Sequence, residues 1–276
     1  MKRKAVFNFL FFLCAVLPIA AQTAVPEGMA LIPAGKFWIG RTQTFFFDSV
    51  DVLARDRMDD RPANNVYLDA FYIDKYEVTN LDYARFIEAT GARPPWDWPQ
   101  GKILSGEEKL PVANVNWFEA TDYCKWLGKR LPTEAEWEKA ARGGLDRNRY
   151  SWGDNEVLLS ESNKLEQTPG RTTNTPVPAA LGRNSSMAVG SFSPNGYGLY
   201  DVIGNVMEWT SDWYDSNYYA FMPKQNPRGP ETGRYRSVRG ADWADGGGGG
   251  DTKLSSYRNF ADPDARSLTI GFRCAK

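Results

Sequence analysis

Two interior acids, Asp201 and Glu208, stand in the stretch Asn195–Trp213, NGYGLYDVIGNVMEWTSDW, among glycines, asparagines and aromatic residues. Carboxylates and backbone carbonyls are hard oxygen donors, so an irregular acidic loop of this kind suits a hard cation. Glycine and asparagine tolerate positive φ, and the spacing predicts a tight loop here rather than a helix or a strand. Tyr197, Tyr200, Trp209 and Trp213 can pin such a loop to a core. A buried loop must satisfy its own carbonyls, and wrapping a cation does so. The competing reading is an aromatic core turn whose acids face water.

Composition closes other routes to chemistry. The chain of 276 residues contains no histidine. Serine–histidine and cysteine–histidine catalysis, imidazole-bound zinc and facial-triad iron are therefore excluded. A formal net charge of −1 gives no electrostatic case for nucleic acid or an anionic membrane. Lys2, Arg3 and Lys4 precede an apolar run from Ala5 to Ala21 that holds Cys14 and ends in the small residues Ala20 and Ala21. This pattern predicts a secretory signal over 1–21, cleaved near Ala21, and a mature chain 22–276 in the periplasm or outside the cell, with no membrane span left after cleavage. Cys124 and Cys274 then remain, and in an oxidising compartment such a pair is most simply a disulfide.

The elements that must position these residues are short. Met29–Gly40 reads as a β-hairpin, and Val66–Val78 alternates as a strand. Thr79 or Asn80 can cap a helix ending at Gly91. Asn116 with Glu119, and Thr133 with Glu136, have capping-box spacing ahead of two further helices, with Gly128 and Gly143 as stops. Strands are expected within Arg236–Trp243 and Ser267–Cys274. With 25 glycines, 17 prolines and a heavy aromatic content, the chain predicts one loop-rich domain.

GKRLPTEAEWEKAARGG (128–144), the Asn195–Trp213 stretch continued to Tyr214, VRGADW (238–243) and IGFRC (270–274), with MALIPAGKFWIG and YEVTN ahead of them, resemble the formylglycine-generating enzyme or sulfatase-modifying-factor family, in family order. The resemblance spans 28–276. It implies an irregular α+β fold of the C-type-lectin-like kind, a single domain low in regular secondary structure. It also implies a calcium site at Asp201, Gly204, Val206 and Glu208, and a weaker match at Asn163 to one ligand of a second site, where Leu181 stands in place of an expected aspartate. Cys124 and Cys274 match a family disulfide pair.

The family's active oxidases hold copper with two cysteines five residues apart, because soft sulfur selects Cu(I). Counted from GADW and back from GFRC, those positions are Asp245 and Gly250, so copper is not expected. The preferred reading is a non-oxidase, calcium-stabilised binding or scaffold module. Its cleft around Asp242, Trp243, Asp245, the glycines Gly246–Gly250 and Arg258 would take a peptide, glycan or protein. The alternatives are an enzyme of different chemistry, similar to periplasmic siderophore-maturation relatives that lack the cysteine pair, and a true formylglycine-generating oxidase acting on sulfatases, which the missing thiols disfavour. Arg258 with Asp264 can equally be read as a surface salt bridge.

Overall fold

The computed structural model describes residues 25–42, 59–154, 185–191, 193–244 and 252–276. The expected signal segment, Asn163, Asp245 and Gly246–Gly250 lie outside the described residues, and so does Leu181.

The expected hairpin at Met29–Gly40 and the single strand at Val66–Val78 are rearranged into two separate pairs. β1 (Met29–Ile32) and β2 (Gly35–Ile39) do not pair with each other. The second segment breaks at Asp69–Ala70 into β3 (Asn64–Leu68) and β4 (Phe71–Asp74), so β4 lies antiparallel to β1 and β3 antiparallel to β2. Pro33, which has no N–H for a ladder, sits at the matching break in the first segment. Each strand turns alternate residues inward, and Ile32, Phe37, Ile39, Val66, Phe71 and Ile73 meet Trp137 and Ile203 in one core.

Three helices form where the capping signals stand. α1 (Asn80–Thr90) starts at Thr79, whose hydroxyl accepts from the Asp82 N–H, and stops at Gly91 in the left-handed region at φ 71°. α2 (Trp117–Trp126) and α3 (Glu134–Ala141) both carry complete capping boxes, Asn116 with Glu119 and Thr133 with Glu136. The inward faces of α1 and α2 stack Tyr83, Phe86 and Tyr123 against Phe272 in a second core. Cys274 is bonded to Cys124 of α2 with the Cα atoms 5.7 Å apart. The C-terminal residues run between β4 and the α2–α3 connection, with Asp74 N–H donating to Cys274 O at 2.8 Å and Arg130 N–H to Ala275 O at 2.9 Å.

The Asn195–Trp213 stretch is only half a loop. Its second half is β5 (Met207–Trp213), an inner strand of the four-stranded sheet ordered β7–β6–β5–β8, where β6 is Arg236–Arg239, β7 is Arg258–Ala261 and β8 is Ile270–Gly271. β5 is antiparallel to β6 and parallel to β8. The strand is hard to see in sequence because its buried alternate positions are polar: Glu208, Thr210 and Asp212 are all almost fully buried. A short helix, α4 (Tyr218–Phe221), follows.

Those polar positions meet charge from α3 and the sheet. Glu134 accepts from Arg239 Nη1 at 2.9 Å and Arg258 Nε at 2.7 Å, while Glu138 accepts from Arg239 Nη2 at 2.7 Å and Arg142 Nη2 at 2.7 Å. Burial alone would raise the Glu134 carboxyl, but Arg258 and Arg239 pull it down to about 2. Asp212 instead accepts from the Glu134 N–H and the Ser211 hydroxyl, and burial followed by the Glu134 charge pushes it up to about 7.

Two outcomes follow from this network. Glu138→Ala leaves two buried guanidiniums short of a partner and should cost about 3–5 kcal/mol in chemical denaturation; a loss below about 1 kcal/mol would contradict the network. Asp212, with its folded pKa raised above the unfolded value, contributes stability that is whole below about pH 4 and lost as pH rises through about 7. Asp212→Asn should therefore gain on the wild type as pH rises from 4.5 to 7.5, read from urea midpoints; a pH-independent gap would contradict the assignment.

Candidate cation site and adjoining surface

The loop ahead of β5 is built by side chains that substitute for regular pairing. Asn195 donates its amide to Ala140 O at 2.8 Å and Ala141 O at 3.0 Å, closing the end of α3, and its oxygen accepts from the N–H groups of Tyr197 and Leu199. Gly196 is required because a Cβ there would lie 2.2 Å from Gly143 O. Asp201 and Asn205 both adopt positive φ, 59° and 64°, a region that short polar side chains tolerate better than most.

Asp201 is buried, and one of its oxygens accepts from the Gly190 N–H at 2.6 Å. The other, Oδ1, is buried with no hydrogen-bond partner among the described residues. Glu208 is held at two points by Arg273, Nε to Oε2 and Nη2 to Oε1, each 2.7 Å, and Trp137 Nε1 donates to Oε2 at 2.8 Å. Arg273 also donates to the carbonyls of Asp74, Lys75 and Tyr200. A third acid, Glu77, completes the cluster: it accepts from Asn205 Nδ2 at 2.6 Å and from the Val206 N–H at 3.2 Å.

The electrostatics favour a cation. Three buried carboxyl groups face one guanidinium. Burial, offset in part by the Gly190 N–H and Arg273, pushes Asp201 up to about 6. Burial and then the charges of Asp201 and Glu208 push Glu77 well above the usual carboxylate range. Among the described residues no three Asp, Glu, His or Cys side chains converge into a set that could hold a metal unaided. An ion here would need main-chain oxygens, as the expected set of Asp201, Gly204, Val206 and Glu208 supplies. The orphaned Asp201 Oδ1 and the excess of acid fit a hard dication with mixed carboxylate and carbonyl ligation.

The structure divides the expected cleft residues. Asp242 is buried and accepts from the Ala244 N–H at 2.8 Å. Trp243 is half-buried; its N–H donates to Asn205 O at 2.9 Å and its indole to Leu268 O at 3.3 Å. Arg258 does not stand at a cleft rim or pair with Asp264. It is buried between the rings of Tyr214 and Tyr219 and bound to Glu134, because a desolvated guanidinium requires a carboxylate at contact. Asp242 and Trp243 thus adjoin the cation loop, and Arg258 belongs to the α3 network. An open cavity of about 340 Å³ between α1, α2 and β4 is lined by Tyr76, Glu77, Arg85, Tyr123, Trp126 and Lys129 among others. Glu77 and Arg273 were not singled out from the sequence; the available signals were an acid in an alternating strand segment and an arginine inside the apolar IGFRC.

Residues 16–276 match the family model for the sulfatase-modifying factor enzyme 1-like domain. The chain is 35% identical to the formylglycine-generating enzyme of Streptomyces coelicolor, over 93% of this chain and 91% of that one. It is 32% identical to a mouse protein named inactive C-alpha-formylglycine-generating enzyme 2, over 91% of this chain and 86% of the relative. The solved structure of PvdO from Pseudomonas aeruginosa superposes with a TM-score of 0.67 at 28% identity, covering 90% of this chain and 93% of that chain. The chain belongs to the sulfatase-modifying-factor family and has its α+β, C-type-lectin-like fold.

Proposed function

We propose that this member of the sulfatase-modifying-factor family is a secreted or periplasmic binding module, stabilised by calcium, that lacks the oxidase chemistry of its active relatives. One observation carries the reading. Beyond Cys14 the sequence has two cysteines, Cys124 and Cys274, and both are spent in the disulfide. The positions expected to hold copper are Asp245 and Gly250, which offer no thiolate.

Calcium fits the residues that remain. Asp201 and Glu208 would hold it with the carbonyls of Gly204 and Val206, and the ion would supply charge neutralisation to a buried acid cluster. Glu208 keeps Arg273 and Trp137 as its protein partners. The ligand surface proposed is the one around Asp242 and Trp243, for a peptide, glycan or protein. The likeness to the mouse relative named inactive supports the loss of oxidase activity. Among the described residues no helix is long and apolar enough to cross a membrane.

The test is aerobic incubation with a peptide bearing the sulfatase Cys-x-Pro-x-Arg motif, with and without added copper. Mass analysis should find no formylglycine above the protein-free control in either arm. Copper-dependent product would overturn the reading.

A further inference from the structure

Glu77 lies in the connection between β4 and α1, far from the cation loop in sequence, yet both of its oxygens are committed to that loop. Oε2 accepts from Asn205 Nδ2 at 2.6 Å and Oε1 from the Val206 N–H at 3.2 Å, across 128 and 129 residues of sequence. Asn205 is fully buried and serves two further segments at once. Its side-chain oxygen accepts from the Met187 N–H at 2.9 Å, and its main-chain oxygen accepts from the Trp243 N–H at 2.9 Å. The neighbouring Gly204 N–H donates to Ala241 O at 3.2 Å. The turn Gly204–Val206 is thus both the expected source of two carbonyl ligands and the anchor of the segment that carries Trp243.

We propose that Glu77 is a positioning residue that fixes this turn, so that cation binding at Asp201–Glu208 and the placement of Trp243 are linked through Asn205. The inference rests on the cation reading above. Two sites are coupled when both bias one shared element, and coupling of this kind is reciprocal. Here the shared element is the Asn205–Val206 peptide, held from behind by the Glu77 carboxyl. Asn205 holds its φ of 64° with its side chain tied on both ends, to Glu77 and to Met187. Removing the carboxylate frees the turn, which loosens the carbonyl geometry and the Trp243 contact together. A residue that orients metal ligands without touching the metal typically contributes about 10–100-fold to affinity.

The experiment is calcium titration of the full mature chain by calorimetry, joined to hydrogen exchange at the Val206 and Trp243 amides with and without calcium. Wild type, Glu77→Gln and Asn205→Gly are compared. Glutamine keeps the size of Glu77 but turns an NH2 group toward one of the two donors, and glycine accepts the positive φ while removing the bridging amide. The expected result is that calcium slows exchange at Trp243 in the wild type. In Glu77→Gln, affinity falls about 10–100-fold and the protection of Trp243 shrinks with it. If Glu77→Gln does not fold, Asn205→Gly carries the same expectation. Unchanged affinity in the variants, or Trp243 exchange indifferent to calcium in the wild type, overturns the linkage while leaving the cation site standing. A role confined to stability would lower the melting temperature equally with and without calcium and leave affinity intact, which also overturns it. Absence of calcium binding to the wild type overturns the cation reading and the linkage with it.

Discussion

The two-point pair between Arg273 and Glu208 is the joint on which the molecule closes. Both partners are almost fully buried. A buried guanidinium and carboxylate hold each other only when their remaining donors and lone pairs are also met. Arg273 meets that condition by reaching the carbonyls of Asp74, Lys75 and Tyr200, and Glu208 by taking the indole N–H of Trp137. One ion pair therefore gathers the end of β4, the loop before β5, α3 and the C-terminal segment. The disulfide from Cys274 to Cys124 fastens the next residue along to α2. A chain with so little regular hydrogen bonding needs fixed points of this kind, since loop carbonyls must otherwise find water.

That joint also shapes what the neighbouring acids can do. Arg273 is paired with one of three carboxyl groups, so Asp201 and Glu77 remain buried as an excess of acid. In an enzyme such groups would be candidates for acid–base work. Here Glu77 is occupied by Asn205 and Val206, and Asp201 by Gly190 with one oxygen unmet. The arrangement supports the proposed cation, and in sequence the positions matching the copper cysteines of the active oxidases are Asp245 and Gly250.

Much of this was legible in the sequence, for identifiable reasons. Capping boxes are local, so Asn116 with Glu119 and Thr133 with Glu136 marked α2 and α3 correctly. The cysteine pair was legible because so few cysteines are present. The four-stranded sheet was less so: β5 buries Glu208, Thr210 and Asp212, which inverts the usual code in which buried strand positions are apolar. The expected hairpin at Met29–Gly40 failed because pairing depends on a distant segment, and Val66–Val78 offered two partners where one was counted. Arg258 misled for the same reason as β5. An arginine near a glycine run suggests an exposed cleft, and nothing local reveals that Glu134, 124 positions earlier, draws it inside. Partners far apart in sequence are what single-sequence patterns carry least.

We propose that the ionic framework around Arg273 and Glu208 holds a structural calcium and that the chain binds no copper. Native mass spectrometry of the protein purified with calcium and copper both available tests this most directly. The account predicts one calcium and no copper per chain, with the calcium lost in Glu208→Gln. A chain that carries copper, or one that carries no ion at all, would contradict it.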